Sequence, residues 1–301
     1  MTFADLNLNT PLLRALEEMG FTTPTTIQRN VFSVAMSGRD VCGIAQTGTG
    51  KTFAYLLPCL RLWKFTKDKS PQILILVPTR ELAVQVAENI KSLTPYMSLE
   101  VRAVYGGVNI NTQHLELMNG ADVLVATPGR FYDLAMNGAF KTKTIKKVII
   151  DEVDEMLNLG FRTQIKNILD LLPPQRQNLM FSATITEEVE ALIETYFNNP
   201  VRVEAAPTGT PLENIIQSVY EVPNFYTKVN LLELLLSEDA SMTKVLGFVA
   251  TKQLADQLYV QMETKFPGKA GVIHSNKEQN HRFNTVKQFK EGHYRFIIAT
   301  D

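Results

Sequence analysis

Cysteine is scarce: Cys42 and Cys59 are the two in 301 residues. Each sits in an apolar stretch, and their spacing matches no metal or redox motif. A disulfide scaffold is excluded, and both read as reduced core residues of a cytoplasmic protein. Histidine is sparse too. The four, His114, His274, His281 and His293, are scattered and have no cysteine cluster beside them, so no zinc site is expected. An excess of one charge is also missing, since 30 Lys and Arg meet 31 Asp and Glu. A protein that gripped nucleic acid by bulk charge would be basic, so any such site here must be local. No apolar run approaches the ~20 residues a membrane helix needs. The opening MTFADLNLNT lacks the basic start and apolar stretch of a signal peptide, so no leader is expected.

What is present is the mix of a soluble globular protein, 45% hydrophobic and 20% charged, at a length that suggests two domains. Short apolar runs alternate with stretches of helical period. The runs are VCGIA (41–45), ILILV (73–77), VRAVY (101–105), DVLVA (122–126), KVIID (147–151), NLMFS (178–182) and VRVEA (201–205). They are rich in Val, Ile and Leu and barely alternate, as strands buried on both faces do. Between them, segments such as 80–93 and 187–197 carry apolar residues at helical spacing. The order predicts an α/β fold with a parallel sheet and helices on both faces. AAPTGTPLE (205–213) has two Pro, one Gly and no period, and reads as a linker between domains 1–204 and 214–301. After it come a predicted strand at 215–222, helices across 225–237, 252–264 and 278–290, and strands at 245–250, 270–274 and 295–300.

Residues 45–52, AQTGTGKT, fit the phosphate-binding pattern G-x-x-x-x-G-K-[ST] except that Ala45 replaces the first glycine. A buried strand precedes them and a helix follows. Gly48 and Gly50 let the backbone curl so that N–H groups face phosphate oxygens, and the helix N-terminus adds partial positive charge. Ala45, Gln46, Thr47, Gly48, Thr49 and Gly50 would form the cradle. Lys51 would sit on the β- and γ-phosphates and Thr52 would hold Mg²⁺. In IIDEVDEM (149–156), Asp151 and Glu152 end a buried strand, where parallel sheets bind ligands. Asp151 suits Mg²⁺, partly through water, and Glu152 suits polarising a water for attack on the γ-phosphate.

GFTTPTTIQ (20–28), PTREL (78–82), GG (106–107), TPGR (127–130) and SAT (182–184) stand out only together. Singly, the last four are ordinary strand-to-helix turns, with Thr or Ser as caps and Pro at a first helical position.

In this order and spacing the segments resemble the DEAD-box ATP-dependent RNA helicases. GFTTPTTIQ resembles the Q motif, AQTGTGKT the Walker A motif, residues 151–154 the D-E-A-D segment and SAT the motif after it. VLGFVAT (245–251), QNHR (279–282) and the terminal ATD (299–301) are similar to motifs of the second domain. The resemblance implies two RecA-like domains of the P-loop NTPase type, the second incomplete, with ATP and Mg²⁺ as cofactors and RNA as partner. It implies that Gln28 reads the adenine edge and Phe3 packs on the ring. Ser182 and Thr184 would couple the nucleotide site to RNA with Asp154 as partner. Thr79, Arg80, Gly107, Thr127, Gly129, Arg130 and Thr300 would line the RNA backbone, contacts that carry little sequence information. A monomer is expected.

There are two departures from the family pattern. Val153 stands where Ala is usual, and near-normal nucleotide chemistry is expected despite it. The chain also stops at Asp301, before the Arg-Gly-x-Asp and His-Arg-x-Gly-Arg segments the family would supply. An arginine finger is worth roughly 10³–10⁵ in rate. Little unwinding is therefore expected of this chain alone, and its last strand, 295–300, is expected to lack a downstream partner element and leave an exposed apolar edge. Other readings are a nucleotide-dependent RNA clamp without productive turnover, a DNA helicase of the same superfamily, and a P-loop GTPase.

Overall fold

The computed structural model describes residues 1–205 and 215–300. The chain divides into two compact units, Met1–Pro211 and Leu212–Asp301. Apart from Ala205, the predicted linker at 205–213 lies outside the described residues.

The first unit holds seven strands: β1 Val41–Ile44, β2 Ile73–Leu76, β3 Val101–Val104, β4 Val123–Ala126, β5 Lys147–Ile150, β6 Gln177–Ser182 and β7 Val201–Glu204. Each matches a predicted run. They form one parallel sheet in the order β3-β4-β2-β5-β6-β1-β7. Residues of β1, β2, β4 and β6 are buried throughout, whereas the edge strands β3 and β7 are partly exposed. This is why the inner runs read as continuous apolar stretches. Alternate residues still point to opposite faces. Ile73 and Ile75 join one apolar cluster with Leu12, Val31 and Ile90, while Leu74 and Leu76 join another with Phe131, Ile165 and Leu192. Helices cover both faces, and the loops at the C-terminal ends of β1, β5 and β6 lie side by side.

The second unit contains β8 Val245–Phe248, β9 Ala270–Ile273 and β10 Phe296–Ala299, paired in parallel in the order β8-β10-β9. Two expectations are corrected here. The last strand is not an edge: β10 lies between β8 and β9 and has a neighbour on each side. The crossover through the 279–290 helix returns the chain to the middle of the sheet. The open edges belong to β8 and β9, and Phe248 on β8 is 68% exposed. The second correction concerns 215–222, which pairs with no strand among the described residues. Ile216 is 96% exposed and Val219 91%. β-propensity describes fit to a neighbouring strand and has no effect without one.

Candidate functional site

The glycine-rich loop leaves β1 and runs into the helix Lys51–Leu62. Gly50 caps that helix with a φ of +93°. A Cβ there would be strained and would lie 2.5 Å from Gln28 Nε2, so glycine is required on both counts. Thr49 Oγ1 donates to the Gln46 carbonyl at 2.7 Å and closes the turn. The Ala45 amide donates to the Ser182 carbonyl at 3.0 Å, tying the loop to the end of β6. Thr47 and Gly48 are exposed, and Lys51 is buried at the first helical position.

Gln28 is buried and both ends of its amide are in use. Its Oε1 accepts from the Thr25 amide at 2.9 Å and its Nε2 donates to the Gly50 carbonyl at 3.2 Å. The side chain thus links the Thr26–Met36 helix to the glycine-rich loop. Phe3, in the short helix Phe3–Leu6, is buried within an apolar cluster.

Asp151 and Glu152 end β5 beside this loop. Asp151 is 3% exposed. Its Oδ2 accepts a 2.8 Å hydrogen bond from the Tyr55 hydroxyl, while its Oδ1 is buried with no hydrogen-bond partner. Burial pushes the Asp151 carboxyl above its ordinary value, opposed by the Tyr55 hydrogen bond and the Lys51 charge. Burial and then the Asp151 charge raise Glu152. Glu152 has φ 53° and ψ 50°, a left-handed conformation that costs a non-glycine residue about 1–2 kcal/mol. Such strain clusters where side chains must be aimed.

Asp154, in the helix Val153–Asn158, reaches the turn after β6. Its Oδ2 accepts from the Ala183 amide at 3.2 Å, the Thr184 amide at 3.0 Å and Thr184 Oγ1 at 2.9 Å. Ser182 Oγ donates to the Thr184 carbonyl at 2.6 Å. The structure thus joins Ala45, Asp154, Ser182 and Thr184 into one hydrogen-bonded network.

A second group gathers at the ends of β2, β3 and β4. Thr79 caps the helix Arg80–Leu93, accepting from the Leu82 amide at 3.2 Å. A Cβ on Gly107, whose φ is +82°, would overlap the Arg80 guanidinium. Arg130 donates to Gln113 Oε1 at 2.6 Å and to the Val108 carbonyl at 3.0 Å. Burial, joined by the like charge of Arg80, pulls the Arg130 guanidinium below its ordinary value. Thr127 precedes the helix Pro128–Met136, and Gly129 has open space where a Cβ would stand. Thr300 belongs to the second unit, where its amide donates to the Ile273 carbonyl at 3.3 Å.

Tyr55 and Gln113 were not singled out from the sequence. Tyr55 could have been found by spacing, because it follows Lys51 by four residues and Thr52 by three and so shares their helix face. Gln113 gave no such signal.

The family model described as DEAD/DEAH box helicase matches residues 25–192, and the one described as Helicase conserved C-terminal domain matches residues 227–301. RNA helicase CrhR of Synechocystis sp. is 37% identical over 300 residues, covering 100% of this chain and 60% of that protein. ATP-dependent RNA helicase DbpA of Bacillus subtilis is 35% identical, covering 99% of this chain and 62% of that protein. DEAD-box ATP-dependent RNA helicase 30 of Arabidopsis thaliana is 36% identical, covering 99% and 51%. The chain belongs to the DEAD/DEAH box helicase family. It spans about 60% or less of the length of these relatives.

Proposed function

We propose that this chain belongs to an ATP-dependent RNA helicase that couples ATP hydrolysis to local duplex unwinding or to remodelling of RNA–protein complexes. The observation that carries the reading is the network from the glycine-rich loop through Ala45 and Ser182 to Asp154 and Thr184. It joins a phosphate cradle at the end of β1 to the acidic helix that follows β5. The relatives' names, which include RNA helicase and ATP-dependent RNA helicase, point the same way.

In this reading residues 45–51 cradle the phosphates of ATP, and Gln28 and Phe3 select adenine. Glu152 orients the attacking water and accepts its proton, a role its raised pKa suits. A hydrated magnesium ion fits the donor set, because the partnerless Asp151 Oδ1 is a buried acceptor in need of a donor such as a metal-bound water. Thr52 and Asp151 would hold the ion, which neutralises developing phosphate charge when bound. Among the described residues no cluster of three His, Cys, Asp or Glu forms a cage of protein ligands for a metal. That suits an ion shared with nucleotide phosphates. Arg80, Arg130, Thr79, Gly107, Thr127, Gly129 and Thr300 would track the backbone of single-stranded RNA or a short duplex. The protein is proposed as a cytoplasmic monomer, with the buried free thiols Cys42 and Cys59 in keeping with a reducing compartment.

A second reading, a nucleotide-dependent RNA clamp without productive turnover, uses the same phosphate cradle and the same RNA-lining residues. Steady-state ATP hydrolysis with and without single-stranded RNA, beside Lys51→Ala, separates the two. RNA-stimulated turnover lost in Lys51→Ala supports the motor. ATP-dependent RNA retention without stimulated turnover supports the clamp. RNA that changes neither hydrolysis nor ATP affinity contradicts both.

A further inference from the structure

The geometry points to Tyr55 as a positioning residue for magnesium, its hydroxyl bonded to Asp151, one of the two side chains assigned to the ion. The inference rests on the proposed ATP site and deepens it.

Tyr55 is fully buried on the helix after the glycine-rich loop, and its ring packs against Phe181 of β6 with centroids 5.3 Å apart. The ring therefore has little freedom, and its hydroxyl is delivered to one place. That hydroxyl donates to Asp151 Oδ2 at 2.8 Å across 96 residues of sequence. Thr52, the other side chain assigned to the ion, stands three residues before Tyr55 on the same helix face. A phenol has one proton, and here it goes to Asp151.

The same arrangement fixes the carboxylate. With Oδ2 held, rotation of the Asp151 carboxyl is restrained, and Oδ1 is the oxygen left without a partner. A buried acceptor left open in this way is costly unless something binds it. Tyr55 thus determines which Asp151 oxygen faces the ion. A phenylalanine at 55 would keep the ring contact with Phe181 and lose the hold on Asp151. No proton moves and no bond to Tyr55 forms in this role.

The test is a magnesium titration of ATP binding to the 301-residue chain, to Tyr55→Phe and to Asp151→Asn, each also measured with ATP in EDTA. For Tyr55→Phe the magnesium concentration at half-saturation is expected to rise about tenfold, the scale of one hydrogen bond to a charged group. Its affinity for magnesium-free ATP is expected to stay within about twofold of the parent, because the phenol touches no part of the phosphate cradle. An unchanged magnesium midpoint in Tyr55→Phe, with Asp151→Asn shifted, overturns the role of Tyr55 and leaves the ATP site standing. Equal weakening of magnesium-free and magnesium-bound ATP marks a packing role only and also overturns it. If Asp151→Asn leaves the midpoint unchanged too, the magnesium–ATP reading of the site fails, and this inference with it.

Discussion

Asp151 gives up stability for its position. Its carboxyl is raised above the ordinary 3.8 chiefly by burial, so between 3.8 and the raised value the folded chain holds more proton than the unfolded one. Ionised Asp151 therefore detracts from stability at neutral pH, and the penalty fades as pH falls through the raised value towards 3.8. Asp151→Asn removes the charge and keeps an acceptor for Tyr55. Without nucleotide it is expected to melt higher than the parent at pH 7, with the margin narrowing as pH falls. Thermal melts across pH check this, and a lower melting point at pH 7 contradicts it. Val153 shows the opposite balance. It is fully buried in the cluster that holds Ile150, Met156 and Met180, and it belongs to packing. Val153→Ala is expected to cost about 1–3 kcal/mol in denaturant unfolding while ATP turnover changes less than tenfold. A turnover gain above tenfold contradicts this role.

At the scale of elements, the first unit was readable because its information is local. Runs such as ILIL at 73–76 are buried on both faces and bounded by turns, so composition alone marks them as inner strands. Helix starts were legible through Thr79, whose cap hydrogen bond is local. Segment 215–222 misled because strand formation needs a partner, and no local signal says whether one is present. The Tyr55–Asp151 and Arg130–Gln113 contacts were hidden for the same reason, being made by side chains distant in sequence. The basic patch of Arg80 and Arg130 is also set by an element, the turn after β3. Gly107→Ala would strain that turn by about 1–2 kcal/mol and displace the Arg80 guanidinium. Single-stranded RNA affinity is expected to fall, with the slope of log affinity against log salt flattened by about one unit. An unchanged salt slope would separate Arg80 from phosphate contact.

For the whole molecule, the burial of both thiols agrees with their reading as core residues. Burial pushes Cys42 up to about 12 and Cys59 to about 11, so both thiols are inert at neutral pH. No helix among the described residues is long and apolar enough to cross a membrane. Bulk charge near zero leaves the proposed RNA contacts to a few placed groups, the Arg80–Gly107 and Arg130–Gln113 arrangements among them. The proposed function depends most on the first unit being an ATP site. The direct test is calorimetric titration of ATP with magnesium into the 301-residue chain and into Lys51→Ala, with GTP as competitor. The expected result is binding by the parent that equimolar GTP does not displace, weakened at least about tenfold in Lys51→Ala through loss of charged hydrogen bonds to phosphate. Absence of binding by the parent, or equal binding by both chains, would contradict it.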